Sequence, residues 1–288
     1  MYSDNLQQFK TWAIIALFSN DDLAEKFALK GGSALDLIYH INSRASVDID
    51  VSMEKDFPPD ELPEITAKLK TTFTDTFEEH GYTIFDFKFT PRPLHQDKKR
   101  DKFWGGYSLQ FKIYPSDTFE EASLNMNRAR LGAEVVGKNN STVFSIDISK
   151  YEYCRNKTST ELEGFSIYVY TPEMIIYEKL RALCQQLPEY FINNGKFKNA
   201  RPRDFYDIYT VMINQSIEFS DLDINTLEEF FNIKKVDLSL LSLLPKYYDV
   251  YIQNLPALVD TLTPEAQKVF DFDQCFNFVI SGIAYIKK

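Results

Sequence analysis

Residues 27–52 have the sequence FALKGGSALDLIYHINSRASVDIDVS, and this stretch decides the fold. The opening apolar run predicts a strand that ends at a double glycine. The residues from Ser33 to His40 have apolar side chains at helical spacing and predict a helix. The residues from Ser46 to Ser52 alternate between polar and apolar and predict a second strand. Strands and helices are therefore expected to alternate in the first half of the chain.

Two carboxylates in the second strand are candidate ligands for divalent metal ions. Asp48 and Asp50 are two residues apart, so both side chains point to the same face of a strand. Magnesium prefers oxygen ligands, and two divalent ions about 4 Å apart stabilise the attacking and leaving oxygens of a phosphoryl transfer. The alternative is that this strand face is simply exposed to water.

The glycine turn is a candidate phosphate-binding element. Gly31 and Gly32 have no Cβ, so the backbone can approach a phosphate closely. Ser33 is expected to cap the following helix and to offer its hydroxyl and N–H to a phosphate. The turn is not a Walker A loop, because it contains no Gly-Lys-Ser or Gly-Lys-Thr.

A third carboxylate lies in a later apolar stretch. Asp147 is the acid in the sequence FSIDI at 144–148, which predicts a strand. A buried carboxylate without a partner is costly, and metal coordination would relieve that cost. The alternative is an edge strand on which Asp147 faces water.

The pattern changes near residue 171. Pro172 to Leu187 predicts an amphipathic helix with proline at its start, and Arg203 to Asn214 predicts a second helix. Further helical segments are expected after residue 223. We therefore predict two domains, 1–170 and 171–288, the second mostly α-helical.

Composition limits the classes of partner. The chain has 288 residues, 44% of them hydrophobic, which suffices for two modest domains. The net charge of -10 argues against a general affinity for nucleic acid. Two local segments are nevertheless basic: 92–102, with Lys98, Lys99, Arg100 and Lys102, and 196–203, with Lys198 and Arg201. Each is either a substrate contact or a solvated loop.

Cysteine usage and hydropathy indicate a cytoplasmic protein. The three cysteines, Cys154, Cys184 and Cys275, are far apart, which argues against a disulfide framework or a zinc site. The N-terminus has no apolar signal core, and no stretch approaches the ~20 apolar residues of a membrane span. We expect no association with a membrane.

Four motifs resemble those of a known family. KGGSAL at 30–35 and RASVDID at 44–50 resemble the AbiEii nucleotidyltransferase toxins, which belong to the DNA polymerase β-like nucleotidyltransferase superfamily. YEKLRA at 177–182 and RPRDFYD at 201–207 are similar to the family's second signature, in which a helix lysine and an Arg-Asp helix start face the nucleotide. The resemblance covers roughly 27–214. It implies an α+β fold, with a nucleotidyltransferase-like mixed sheet and flanking helices followed by a mostly α-helical C-terminal domain.

The resemblance also implies roles for individual residues. Asp48 and Asp50 would hold magnesium, two ions being expected, and Asp147 is the candidate third ligand. The triphosphate would be bound by Gly31, Gly32, Ser33 and Lys179. Asp204 would complete the site from the helical half, so that the active site becomes a cleft between two lobes.

Several of these assignments have alternatives. Lys179 could be an exposed cation paired with an acid on its own helix. Asp204 could be a helix cap, which is compatible with catalysis. Arg44 and Ser46 either shape the loop before the acidic strand or contact phosphate. Glu178, Tyr206 and Asp207 could support the site or lie on helix surfaces.

The resemblance implies a magnesium-dependent enzyme that moves a nucleotide from an NTP to an acceptor. Family members act as toxins of toxin–antitoxin or phage-defence pairs, and RNA, especially tRNA, is a known substrate class. It therefore implies an RNA acceptor and a cognate antitoxin as partners. The alternatives are a small-molecule or protein acceptor, and a nucleotide-binding module without catalysis.

Overall fold

The computed structural model of the protein describes residues 5–41, 48–93 and 103–286. These residues form two compact units. The first unit contains 5–38, 48–93 and 103–169, and the second contains 39–41 and 170–286. That residues 1–170 and 171–288 are two domains, each folding independently, stays a prediction.

A mixed sheet forms the centre of the first unit. Within the described residues it has seven strands: β1 (Phe27–Lys30), β2 (Ile49–Met53), β3 (Tyr82–Arg92), β4 (Gly106–Pro115), β5 (Phe144–Ser149), β6 (Thr158–Leu162) and β7 (Phe165–Val169). Their order is β3-β4-β5-β2-β1-β7-β6. β2 is parallel to β5 and β1 to β7, whereas the other neighbours are antiparallel.

Helices flank this sheet: α1 (Leu6–Phe18), α2 (Asp21–Ala24), α3 (Gly31–Leu37), α4 (Leu62–Glu79), α5 (Ser116–Ser123) and α6 (Met126–Gly132). The buried residues of α4 are four apart and form one stripe, which includes Phe73 and Phe77. The rings of both lie 5.4 Å from the ring of Phe111 in β4. α4 therefore packs on one face of the sheet.

The two faces of the sheet differ in chemistry. The face against α4 is apolar, with buried side chains such as Val51, Ile146 and Phe111. The opposite face, called here the polar face, carries Asp50 of β2 and Asp147 of β5. Residues that are directly opposite in neighbouring strands point to the same side, so the registers below extend the polar face across the sheet.

A β-bulge in β3 determines which of its side chains reach the polar face. Phe85 is opposite Lys112 of β4, and Lys88 is opposite Gln110, so β3 has one residue more than β4 over this interval. Asp86, inside the bulge, has a φ of 52°.

Beyond the bulge, apolar and polar side chains of β3 separate cleanly. Phe87 contacts Phe73 of α4, and Phe89 stacks on Tyr107, so both rings lie on the apolar face. Lys88, Thr90 and Arg92 lie on the polar face, because they are opposite Gln110, Ser108 and Gly106.

The second unit is built of helices: α7 (Pro172–Gln186), α8 (Pro202–Gln215), α9 (Ile224–Ile233), α10 (Tyr248–Gln253), α11 (Leu255–Val259), α12 (Pro264–Val269) and α13 (Phe272–Ile286). A 3₁₀ stretch, Leu238–Tyr247, precedes α10. Thr171 caps α7 by accepting a hydrogen bond from the N–H of Met174. Phe205 of α8 is completely buried among the rings of Tyr251, Phe272 and Phe276.

These elements confirm the predicted fold class, a mixed sheet with flanking helices followed by a helical region. β6 was not predicted, because its sequence TSTEL lacks apolar alternation and its side chains are mostly exposed. The expected strand at 46–52 is observed as Ile49–Met53, and residues 46 and 47 lie outside the described residues. Among the helices that the structure describes, none has the length and apolar composition to span a membrane.

Candidate active site

The glycine turn contacts the acidic strand directly. Gly31 has a φ of +64°, a left-handed conformation that glycine adopts without steric cost. A Cβ at this position would lie 2.7 Å from Oδ2 of Asp50. Glycine is therefore required here both by the backbone conformation and by the close approach of the carboxylate.

Ser33 links α3 to the start of β2. Its side chain is completely buried, and its hydroxyl donates a hydrogen bond of 2.9 Å to the carbonyl oxygen of Asp48. α3 begins at Gly31 with Lys30 as its N-cap residue, so Ser33 lies inside the first turn and does not cap the helix. The expectation that Ser33 caps this helix was wrong. Phosphate binding by Gly31, Gly32 and Ser33 stays a prediction.

The carboxylates lie in a cross-strand row on the polar face. Lys30 of β1 is opposite Asp50 of β2, and Asp50 is opposite Asp147 of β5. The row continues through Ser108 of β4 to Thr90 of β3. We call it the acidic row. The sheet thus places Asp50 and Asp147 side by side.

Asp147 has an unfavourable environment for its charge. Desolvation raises the pKa of its carboxyl group, the guanidinium of Arg92 opposes that shift, and the negative charge of Asp48 adds to it. Nη1 of Arg92 is 3.8 Å from Oδ1 of Asp147, and both side chains are 54% exposed. The alternative of an edge strand was wrong, because β5 lies between β4 and β2, but the side chain does reach solvent.

The chemistry of these donors fits a magnesium ion. Asp48 is exposed, Asp50 is partly buried, and Asp48 is close enough to Asp147 to raise its pKa. A divalent cation would neutralise that repulsion. Within the described part of the chain, no three His, Cys, Asp or Glu side chains are gathered as a metal-binding group. Metal binding by Asp48, Asp50 and Asp147 therefore stays a prediction.

A buried ion pair lies beside the acidic row. Lys30 and Glu152 are about 95% buried, and Nζ of Lys30 is 4.0 Å from Oε1 of Glu152. Glu152 also donates its backbone N–H to the carbonyl oxygen of Met53, at the end of β2. Glu152 was not predicted as a site residue, because it follows β5 in a loop without a recognisable motif.

In the second unit, Lys179 is held between carboxylates of α8. Its Nζ lies 2.5 Å from Oδ2 of Asp207, to which it donates a hydrogen bond, and 3.6 Å from Oδ1 of Asp204. All three side chains are at most 6% exposed. Lys179 is therefore neither exposed nor paired within its own helix, so that alternative was wrong.

Asp204 combines complete burial with unused hydrogen-bonding capacity. Neither carboxylate oxygen has a hydrogen-bond partner, although Nε of Arg201 is 3.3 Å from Oδ2. α8 begins at Pro202 with Arg201 as its N-cap, so Asp204 lies in the first turn and is not the cap. A carboxylate is favoured there by the helix dipole. Oδ1 and Oδ2 are ion-paired with Lys179 at 3.6 Å and with Arg201 at 3.3 Å, but neither contact is a hydrogen bond.

Asp207 is the member of this cluster whose role its sequence context left open. Asp204 and Asp207 are three residues apart on α8, and this spacing places both on one side of the helix. This spacing was the signal in the sequence that Asp207 lies beside Asp204. Arg44 and Ser46 lie outside the described residues. The predicted cleft, which would join the acidic row to Lys179 and Asp204, stays a prediction because these groups belong to different units.

A match to a protein-family model agrees with the motifs. A family model described as "Nucleotidyl transferase AbiEii toxin, Type IV TA system" matches residues 13–267. Among solved structures, an antigenic nucleotidyltransferase-like protein from Paracoccidioides brasiliensis is similar at 15% identity and a TM-score of 0.38, covering 88% of this chain and 94% of that chain. No relative is found among curated proteins.

Proposed function

The chain belongs to the family of AbiEii nucleotidyl transferase toxins, and from this premise we propose that it transfers a nucleotide from an NTP to an RNA acceptor with the help of magnesium. A hydroxyl of the acceptor attacks the α-phosphorus and releases its proton to solvent, the bond from the α-phosphorus to the oxygen that bridges to the β-phosphate breaks, and pyrophosphate leaves. The proposal is carried by one observation: Asp50 lies between Asp147, its partner in β5, and Gly31, whose missing Cβ leaves room for its carboxylate.

The acids of the first unit would hold the metal. We propose that Asp48, Asp50 and Asp147 would supply the carboxylate oxygens, and two magnesium ions are the expected complement. Bound there, magnesium would stabilise negative charge on the attacking and leaving oxygens. The hydrogen bond from Ser33 to the carbonyl of Asp48 fixes the backbone from which these acids project.

Lys179 and Asp204 supply a second set of polar groups. We propose that Lys179 stabilises the charge of the departing pyrophosphate and that Asp207 positions its ammonium group. The hydrogen bond of 2.5 Å between them restricts Lys179 to one arrangement. Asp204 has two carboxylate oxygens without hydrogen bonds, and we propose that they contact the bound nucleotide or its metal.

Local positive charge favours RNA as the acceptor. In the second unit, Lys196, Lys198 and Arg203 are exposed just before and at the start of α8, which carries Asp204. On a protein with a net charge of -10, such a patch restricts RNA to one region. Lys98, Lys99, Arg100 and Lys102 of the other basic segment lie outside the described residues. We propose that the enzyme is the toxin of a toxin–antitoxin pair in phage defence, with a cognate antitoxin.

A transfer assay tests the reaction and its acceptor together. Wild type would be incubated with each NTP, labelled at the α-phosphate, and with total RNA, total protein or a small-molecule extract. We expect labelled RNA, and a loss of at least about a hundredfold with Asp50→Asn, which keeps the shape but removes the charge. Asp75→Asn is the matched control, because Asp75 is an exposed acid of α4 on the other side of the sheet.

Different outcomes of the assay contradict the reaction, the acceptor or the metal site. Equal, background labelling by wild type and Asp50→Asn with every acceptor contradicts the transferase proposal. If protein or a small molecule is labelled and RNA is not, that molecule is the acceptor in place of RNA. Persistence of full activity after chelation of divalent ions would contradict the magnesium site.

A further inference from the structure

Two exposed cations lie on the outer part of the polar face. Lys88 and Arg92 are on either side of Thr90 in β3, which is an edge strand of the sheet within the described residues. Thr90 belongs to the acidic row, with Ser108 between it and Asp147. Neighbouring strands are about 4.8 Å apart, so about 10 Å separates the backbone at Thr90 from that at Asp147.

The bulge in β3 creates this arrangement. Without its extra residue, the alternation of the strand would place Phe87 and Phe89 on the polar face and turn the cations away. The carboxylate of Asp86 accepts two hydrogen bonds from Arg130, of 2.6 Å from Nε and 2.9 Å from Nη2. This ion pair ties the bulge to α6.

The same ion pair engages the acid that interacts with Lys88. Asp86 interacts electrostatically with Lys88, but both of its oxygens are engaged by Arg130. The contact of Arg92 with Asp147 is longer than a hydrogen bond and exposed to water. Exposed ion pairs of this kind contribute little, so the guanidinium can turn to a stronger anion.

Resting on the proposed transfer to RNA, we infer that Lys88, Thr90 and Arg92 bind backbone phosphates of the acceptor, beside the nucleotide that is modified. We call these residues the β3 phosphate strip. Lysine, arginine and threonine side chains bind phosphates without reading bases, so the strip fixes the position of the strand and not its sequence. The acids next to it repel the same phosphates, which confines the backbone to the outer edge of the sheet.

Binding of the full chain to a fluorescein-labelled polyuridylate, in magnesium buffer and over a series of salt concentrations, tests the strip. Lys88→Glu is expected to raise the Kd about tenfold and to lower the salt slope by about 1, since one phosphate contact is lost. Arg92→Gln is expected to act in the same direction. Lys70→Glu is the matched control, because Lys70 is an exposed lysine of α4, which packs on the apolar face. Circular dichroism checks that each variant is folded.

The binding assay and the transfer assay distinguish a failure of the β3 phosphate strip from a failure of the proposed reaction. Equal Kd values and salt slopes for Lys88→Glu and Lys70→Glu overturn the strip, as does the absence of any RNA binding by wild type. The transfer assay is scored independently. If wild type binds RNA through Lys88 but labels no acceptor, the reaction fails and the strip stands. If it labels RNA and Lys88→Glu retains the KM of the control, the strip fails and the reaction stands.

Discussion

The backbone of Gly31 and the carboxylate of Asp50 touch: a Cβ on Gly31 would lie 2.7 Å from Oδ2 of Asp50. The turn that follows β1 thus packs so closely against Asp50 of β2 that a methyl group on Gly31 would not fit between them. Any side chain at this turn must displace the carboxylate on which the proposed metal site depends.

Gly31→Ala is expected to destabilise the protein by about 1–3 kcal/mol and to reduce transfer by more than tenfold, because it combines backbone strain with displacement of Asp50. Gly164→Ala is the control, since Gly164 has a φ of +85° but nothing within 4 Å of its added Cβ. Chemical denaturation and the transfer assay measure both effects. Equal activity in the two alanine variants would show that the contact with Asp50 is unimportant.

The pair of Lys179 and Asp207 is expected to behave as a coupled buried ion pair. Asp207→Leu alone should cost about 3–5 kcal/mol, since it leaves the ammonium group of a 6% exposed lysine short of a partner. Lys179→Met together with Asp207→Leu should cost at least about 2 kcal/mol less than the sum of the single changes. Urea unfolding of the four proteins measures this coupling. Strict additivity would mean that the two side chains do not stabilise each other.

Asp147→Asn is expected to raise the melting temperature at neutral pH, on the order of 1–2 °C. Desolvation raises the pKa of Asp147 in the folded protein, with Arg92 opposing and Asp48 adding to that shift. A raised carboxyl pKa means that ionisation disfavours folding. Stability is therefore lost as the pH rises from 3.8 through the folded pKa, and the asparagine variant avoids this loss. The effect is small because the side chain is 54% exposed.

Calorimetry across the acidic range checks the sign. The advantage of Asp147→Asn should shrink as the pH falls to 3.8 and below, where the carboxyl group becomes protonated in both states. If the increase in melting temperature does not change with pH, it does not arise from the ionisation of Asp147.

Arg130→Gln is expected to destabilise the protein slightly near neutral pH, because the two hydrogen bonds to Asp86 at the bulge are lost. Hydrogen bonding to Arg130 lowers the pKa of Asp86. A lowered carboxyl pKa gives stability that is complete above 3.8 and is lost as the pH falls through the folded pKa. The difference between wild type and variant should therefore vanish in strong acid. Arg128→Gln, at an exposed position of the same helix, is the control, and an equal loss in both variants would contradict a specific role for Arg130.

The local parts of the candidate site could be predicted from the sequence. The apolar run before Gly31 and the alternation around Asp50 are local patterns, and both strands are observed. The position of Asp147 next to Asp50 was expected only through the family resemblance, because no local pattern reveals a parallel pairing between strands almost 100 residues apart. The same holds for the pairing of Lys179 with Asp207, which requires knowledge of how α7 packs on α8.

The bulge in β3 was not predicted, because its sequence does not reveal it. Residues 85–90, FDFKFT, alternate strictly between apolar and polar side chains and predict an uninterrupted strand. Only the pairing with β4 shows that one residue is extra. The placement of Lys88, Thr90 and Arg92 on the polar face could therefore not have been predicted from the sequence alone.

The extra residue at Asp86 also has a consequence for the comparison of related chains. It sets the phase of side-chain alternation from Lys88 to the end of β3. A homologue whose strand is one residue shorter here is expected to have exchanged its aromatic and basic positions from that point onward. Where such an exchange accompanies the deletion, the aromatic side chains still reach the apolar face and the basic side chains still reach the polar face. An alignment by residue type would then misplace the gap.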